Sequence, residues 1–310
     1  MAGGSGGKPV TIYAAIIANF LIAVSKFIVA GITGSSAMLS EGIHSVADTG
    51  NQALLLLGIR LSKRPANKEH PFGHGKELYF WSLIVAIVLF GVGGGISLYE
   101  GIIHLQHPAE LSNPSWNYVV LGLAVIFESI AFWIAFRALA RAAGKDSMWQ
   151  AVRDSKDPTI FVVLFEDAAA LAGLLVAFLG VFLSHRLEMP ILDAVSSLVI
   201  AVILMAVAVY LAYESRKLLL GEAADPDLVR SIENLVSQED AIRVIRRPMT
   251  MHFGPNEVLL NMDLSFQNSL TTKEINAAIE RVESQIQRKH PQVKRIFLEA
   301  RTLKELAKPS

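Results

Sequence analysis

The sequence of 310 residues contains no cysteine. That excludes disulfides, thiolate metal sites and cysteine nucleophiles, so any metal must be held by nitrogen and oxygen ligands. Net charge is also absent: 28 Lys and Arg balance 28 Asp and Glu, and the total therefore points neither to a nucleic-acid partner nor to an acidic substrate. Charged residues make up only 18% of the chain against 52% hydrophobic, with a mean hydropathy of +0.43. This is too apolar for an ordinary soluble domain of such length, and a membrane protein is expected. The opening MAGGSGGKPV lacks the charged region, short apolar core and cleavage site of a secretory signal, and it is poor in Arg for a mitochondrial presequence. Ala2 replaces the Gly that myristoylation needs, so the first apolar span is expected to be an uncleaved anchor. There is no glycine-rich phosphate loop between a strand and a helix, no HExxH and no GxSxG. GVGGG at 91–95 lies inside an apolar run, where small residues let helices approach closely.

Six segments have the length of about 20 residues that one membrane crossing needs: roughly 10–31, 38–60, 79–104, 117–140, 158–184 and 191–213. The connection after the second holds Arg60, Lys63, Arg64, Lys68 and Lys76, and that after the fourth holds Arg137, Arg141, Lys145, Arg153 and Lys156. Residues 32–37 and 105–116 have no Lys or Arg, and 185–190 only Arg186. The positive-inside rule makes the basic loops cytoplasmic and puts both termini on that side. After Tyr213 amphipathic helix signals (DPDLVRSIENLVSQ, TTKEINAAIERVESQIQRKH) alternate with short apolar runs (IRVIRRPMTMHFG, NEVLLNMDLSF, QVKRIFLEA). Helix, strand, strand, helix, strand describes a small α+β domain. The organisation expected is an all-α transmembrane bundle of six helices over 1–213, then a cytoplasmic α+β domain over 214–310, in a multi-pass protein of a bacterial inner (plasma) membrane.

Ionisable residues at membrane depth are expensive and mark function. His44 and Asp48 are spaced i, i+4 in SEGIHSVADTGNQ, so on a helix they share a face, and Asn51 continues that face. FEDAAALAG carries Glu166 and Asp167 in the fifth span. One imidazole, several carboxylates and no sulfur suit a tetrahedral N/O site for zinc or another first-row divalent ion. Imidazole also exchanges a proton near neutral pH, so protons compete with metal there. The alternative is a His and an Asp that simply hydrogen-bond to one another and fasten helices. Asn19, Lys26 and Glu128 are further polar residues within spans, read as structural, with Lys26 free to snorkel or to pair with an acid.

GSSAMLSEGIHSVADTGNQ entering span two, HPFGHGKEL entering span three and MPILDAVSSLVIAVIL opening span six, with six spans and an α+β tail, together resemble the cation diffusion facilitator family of divalent-metal transporters. The resemblance covers nearly the whole chain. It implies a ferredoxin-like cytoplasmic domain and a transport site made by two residues a turn apart on span two and two on span five. His44 and Asp48 match the first pair and Asp167 the second Asp, while Val163 stands where its partner is expected. The adjacent Glu166, as a fourth ligand or proton carrier, makes the pair look like the branch that includes a mitochondrial-type zinc exporter; a water or Asn51 is the substitute ligand. A loop site in some members would use His70 and His74, but Asn67 stands where an acid belongs. The positions of zinc-sensing ligands in the tail are Arg246, Met262, Leu298 and Ala300, so that domain is expected to be free of metal; His252 and His290 read as isolated surface or loop residues.

The resemblance implies a homodimer that exchanges a divalent cation, zinc in first place, for protons across the lipid bilayer, with no cofactor, no catalysis and no nucleic-acid partner. Manganese, iron or cobalt preference, a non-transporting metal sensor or scaffold, and an intramembrane metal hydrolase are the alternatives. The last is disfavoured by the absence of HExxH or a serine-lysine arrangement.

Overall fold

The computed structural model describes residues 9–108, 115–143 and 156–301, with the side chains of 9–19, 138 and 141–143 outside the described set. Asn19, Arg141, Lys145 and Arg153 therefore fall outside the described side chains. Packing divides the chain into two compact units, Met1–Arg60 with Phe80–Ser215, and Leu61–Tyr79 with Arg216–Ser310.

The first unit is helical, as an apolar environment demands: only a helix or a closed barrel satisfies its own backbone donors and acceptors there. Its elements are α1 (Pro9–Thr33), α2 (Ser36–Ser62), α3 (Glu77–Val88), a π-helical segment (Leu89–Ile96), α4 (Ser97–Gln106), α5 (Ser115–Ala143), α6 (Pro158–Leu187) and α7 (Ile191–Leu220). Local chemistry sets some of the ends. Asp157 caps α6, accepting from the Thr159 amide at 3.0 Å, and Pro158 occupies a first-turn position where its missing N–H costs nothing.

Six crossings were expected; among the described residues four stretches are long and apolar enough to span a membrane, Glu77–Gln106, Ser115–Arg137, Pro158–Leu187 and Ile191–Leu220. The shortfall has a chemical origin. α2 is 27 residues long, but Glu41, His44, Asp48, Asn51 and Arg60 dilute its apolar character, and α1 contributes only the shorter described helix Phe20–Thr33. The third apolar segment is also not one regular helix, since GVGGG falls in the π-helical segment. There a Cβ on Gly94 would lie 2.4 Å from Met205 Cγ and 3.4 Å from the Ala201 carbonyl. The glycine thus lets this segment press its backbone against α7.

The second unit contains α8 (Pro226–Val236), β1 (Ile242–Ile245), β2 (Met249–Gly254), β3 (Glu257–Phe266), α9 (Thr272–Lys289) and β4 (Val293–Ala300). Asp225 caps α8 ahead of Pro226, and Thr271 with Glu274 forms a capping box on α9, each satisfying backbone donors that the helix leaves over. β3 organises the sheet. It pairs antiparallel with β2 over Glu257–Asn261 and with β1 over Leu264–Phe266, and parallel with β4 from Val258 to Leu264. β4 therefore takes one edge, while β1 and β2 share the other. The single apolar run IRVIRRPMTMHFG becomes two short strands because Pro248 has no N–H for the ladder. Both helices lay their apolar faces on this sheet, in a core of Ile232, Val236, Leu260, Met262, Val282 and Ile286.

Residues 61–79 pack within this second unit. The Phe72 ring stacks on Phe253 at 5.2 Å, Arg295 lies 5.0 Å over Phe72 and donates to the Pro71 carbonyl at 3.1 Å, and Lys76 covers the other ring at 5.0 Å. The basic residues Arg60, Lys63, Arg64 and Lys68 are exposed, as is Arg137. His252 departs from the expected surface position. It is buried in β2, with Nδ1 3.2 Å from the Gly254 carbonyl, whereas His290 follows α9 and meets Ser231 Oγ at 3.0 Å.

Leu260 is fully buried at the centre of β3, so Leu260→Ala is expected to cost the α+β unit roughly 2–5 kcal/mol, read as faster amide hydrogen exchange along β3 in the intact protein with α6 and α7 unaffected. A weaker effect is expected at the surface. Two hydrogen bonds from Arg281, at 2.6 and 3.2 Å, hold the Glu239 carboxyl below its ordinary range. The pair stabilises the fold above the ordinary carboxylate range and its contribution disappears as pH falls through the lowered value. Glu239→Gln should therefore cost a few tenths of a kcal/mol near neutrality, less in high salt, and nothing at strongly acidic pH, by denaturant titration of the same exchange signal.

Candidate metal centre

α2 turns its polar residues inward. Its buried positions include Glu41, His44, Asn51, Leu55 and Gly58, a series at the three- and four-residue spacing of one helix face. The start of the helix is fixed from outside. Asp193 on α7 accepts from the Ser36 amide at 2.6 Å, the Ala37 amide at 3.3 Å, Ser36 Oγ at 2.9 Å and Ser35 Oγ at 2.7 Å. A carboxylate placed on the positive end of a helix satisfies the amides that have no intrahelical acceptor, and Ser197 Oγ adds a bond to Ser36 Oγ at 2.9 Å.

One turn in, Lys26 of α1 enters the same face. Its ammonium lies 3.1 Å from Glu41 Oε2 and 2.8 Å from Ser45 Oγ, and Lys26 and Glu41 are both fully buried. The possibility that Lys26 pairs with an acid is thus realised. Glu41 in turn explains Gly173 on α6, where a Cβ would lie 2.5 Å from Glu41 Oε1. A side chain there would require that carboxylate to move.

His44 Nε2 is 3.3 Å from Asp48 Oδ2, so the i, i+4 pair does meet. The two groups do not satisfy one another, however: both imidazole nitrogens and Asp48 Oδ1 are buried without a hydrogen-bond partner among the described residues. The distance is that of an ion pair without hydrogen-bond alignment. Buried polar atoms are normally bonded, and orphaned ligand-type atoms on two adjacent side chains are what a cation would satisfy. This geometry weighs against the reading in which His44 and Asp48 serve only to bond each other.

On α6 the two acids have different surroundings. Glu166 lies on the buried stripe with Ala169, Ala170, Gly173 and Ala177, and its Oε1 accepts from Asn51 Nδ2 at 2.7 Å. Asp167, about 100° further round the helix, is half-buried with Oδ2 unpartnered. It is Glu166 that bridges directly to α2, while Asn51 spends its amide on that bond and keeps a buried, unpartnered Oδ1. Asp48 nevertheless lies within electrostatic reach of Glu166, Asp167, Glu128 and Lys26. Glu128 of α5, with Ile22, Ser45 and Asp48, borders a narrow gap beside this group, too small to admit a water molecule. Val163 is half-buried, one turn before Asp167.

Among the described residues no three His, Asp or Glu side chains converge into a closed metal cluster. The candidate ligands are assembled as two pairs, His44 with Asp48 along α2 and Asn51 with Glu166 between α2 and α6, and Asp167 follows Glu166 on α6. In the second unit the rings of His70 and His74 are 4.4 Å apart, and His74 Nδ1 is buried without a hydrogen-bond partner. Asn67 is engaged in the loop itself, its Oδ1 accepting from the His70 amide at 2.6 Å. Met262 lies in the sheet core opposite Leu298, and Arg246 pairs with Asp263 at 3.5 Å.

The local sequence carries no signal for the role of Asp193, which sits in an otherwise ordinary span opening, and Glu41 is not among the residues expected to partner Lys26. The second had a pattern that could have revealed it: Glu41 lies three residues before His44 on the same helical face.

The chain matches the model of the cation efflux transmembrane domain over residues 12–220, more than half its length. It is 36% identical over 270 residues to the proton-coupled zinc antiporter SLC30A9, mitochondrial, of Xenopus laevis, covering 86% of this chain and 48% of that protein. It is 29% identical over 263 residues to metal tolerance protein C4 of Arabidopsis thaliana, covering 84% of this chain and 57% of the relative. A third relative, the manganese efflux system protein MneP of Bacillus subtilis, is 26% identical over 293 residues and 92% of both chains is covered. The chain thus spans about half the length of the animal relative. With this family match and four helices among the described residues apolar enough to cross a bilayer, it is an integral membrane protein.

Removing the Asp193 carboxylate leaves the Ser36 and Ala37 amides without an acceptor in an apolar bundle, a cost of about 1–3 kcal/mol. Asp193→Ala is therefore expected to lower the thermal midpoint of the purified protein in detergent, and Asp193→Asn, which keeps one acceptor oxygen, should lower it less.

Proposed function

The chain belongs to the cation efflux family, and from that premise we propose that it is a divalent-cation transporter, zinc being its first substrate, which exchanges the metal for protons across the membrane. The observation that carries this reading is the set of orphaned ligand atoms on His44 and Asp48 beside Glu166 and Asp167. Buried polar side chains normally find hydrogen-bond partners, and here four ligand-bearing residues lie close together with several atoms left open. The chemistry is that of competition. Carboxylate and imidazole bind a cation only when unprotonated, so protons arriving from one side of the membrane displace the metal and its arrival releases them. His44, Asp48 and Asp167 are the ligands, with Glu166 as the fourth ligand or the proton carrier and Asn51 positioning it through the 2.7 Å bond. No covalent bond changes, so the protein is read as a transporter and not as an enzyme.

Imidazole at His44 favours zinc over the harder manganese ion, and the relative named for zinc is the more similar at 36% identity. Manganese is the second reading, favoured by the Bacillus relative of matching length. A bacterial inner (plasma) membrane belongs to the same reading. Six crossings, with α1 and α2 included, put both termini on the cytoplasmic side, by the exposed Arg60, Lys63, Arg64 and Lys68. A homodimer with a ferredoxin-like, metal-free cytoplasmic unit completes the reading, on the family resemblance. The His70 and His74 pair is read as a loop element, because Asn67 offers no charge to a metal.

Reconstituted in proteoliposomes under an imposed pH gradient, the protein should move zinc into the acidic compartment, with flux collapsing when the gradient is dissipated. His44→Ala and Asp167→Ala should each reduce it to the background of empty liposomes. If zinc, manganese, cobalt and cadmium all fail to move, transport is refuted; if transport persists undiminished in both variants, the site assignment is.

A further inference from the structure

Lys26 is fully buried in a bundle otherwise rich in acids. Its ammonium holds Glu41 Oε2 at 3.1 Å and Ser45 Oγ at 2.8 Å. Ser45 is the neighbour of His44 in sequence, and it borders the same narrow gap as Asp48 and Glu128. Lys26 is also within electrostatic reach of His44, Asp48 and Glu128 themselves. Stability alone does not account for it, because a buried ion pair is generally matched or bettered by apolar residues of similar volume. Glu41 keeps a second, unpartnered oxygen, pressed toward the bare backbone of Gly173 on the helix that carries Glu166 and Asp167.

We propose that Lys26 is a resident counter-cation of the transport site, a positioning residue whose fixed positive charge, balanced by Glu41, keeps the affinity for a divalent cation low enough for release. The proposal rests on the transport reading above. A pole of Asp48, Glu128, Glu166 and Asp167 with no built-in cation would attract a divalent ion strongly and hold it. A transporter needs binding that is favourable enough to load and weak enough to unload. An ammonium tethered to Glu41 and Ser45, the residues three before and one after His44, opposes the arriving metal through space without taking a ligand position. Its partner Glu41 acts in the opposite sense, and the pair sets the field at the site by the difference between them.

Charge of opposite sign on the two partners makes the test specific. Full-length protein in detergent is titrated with zinc by calorimetry, and flux is measured in proteoliposomes, for wild type, Lys26→Met, Lys26→Arg, Glu41→Gln and the double variant Lys26→Met/Glu41→Gln. Loss of the ammonium should tighten zinc binding by about tenfold or more, lowering KM and slowing turnover together. Glu41→Gln leaves the ammonium unbalanced and should weaken binding by a similar factor. The double variant should return near wild type, and Lys26→Arg, which keeps the charge, should stay there. A purely structural pair predicts instead that both single variants weaken binding and that arginine, with its different shape, does not rescue. Shifts of the same sign, no shift in either single variant, or a double variant far from wild type would overturn the proposal. If Lys26→Met fails to fold, Glu41→Gln and the double variant still read the sign. Wild-type protein that neither binds nor moves a metal would sink the transport reading, and this proposal with it, before any variant is compared.

Discussion

Charge inside an apolar bundle must find a partner, and α2 carries so much of it that the arrangement of the neighbouring helices follows. Glu41 draws Lys26 inward from α1, Asn51 reaches Glu166 on α6, and the first amides of α2 are met by Asp193 from α7. An unpaired charge in such surroundings costs several kcal/mol, of order 3–5 when one partner of a buried pair is lost. The contacts from three neighbouring helices to this one are therefore mutually dependent. They fix its rotation about its own axis, which decides that His44 points into the bundle and not into lipid. Among the described residues both nitrogens of His44 stay unpartnered on that face, and so does one oxygen each of Glu41, Asp48 and Asn51.

Backbone approach does the rest. Gly173 allows the Glu41 carboxylate to sit against α6, and Gly94 allows the π-helical segment to sit against α7. Helices in lipid gain nothing from burying apolar side chains against each other in place of lipid tails, so close packing and a few polar bonds hold the bundle together. Small residues matter most where a functional group must be brought near. At Gly173 these two requirements coincide, since the same close approach sets α6, with its two acids, beside α2.

The second unit is built on different physics. Water is the alternative environment there, and α8 and α9 earn their positions by amphipathic faces laid on a sheet whose central strand, β3, is paired along both edges. Caps at Asp225 and at Thr271 with Glu274 close the helix starts. The attachment of residues 61–79 to this unit through Phe72, Lys76 and Arg295 is a matter of aromatic and cationic side chains in an exposed loop, where no periodic pattern announces a partner.

Much was legible in the residues because it depends on local rules. Apolar runs of membrane length, basic loops and the three apolar runs that become the sheet all follow from spacing and composition. The i, i+4 relation of His44 and Asp48 was equally local, and so their meeting was expected. What required the folded chain involves residues far apart in sequence: Lys26 with Glu41, 15 positions away, Asn51 with Glu166, 115 away, and Ser36 with Asp193, 157 away. The same holds for the choice between neighbouring acids. Glu166 and Asp167 are indistinguishable as candidates along the chain, and only the rotation of α6 against α2 places one on the buried stripe and leaves the other at its edge. The sequence by itself determined which chemical groups enter the bundle, because composition and helical period are local. Only tertiary packing decided which of them pair off and which remain open, because pairing depends on helix rotation and closest approach.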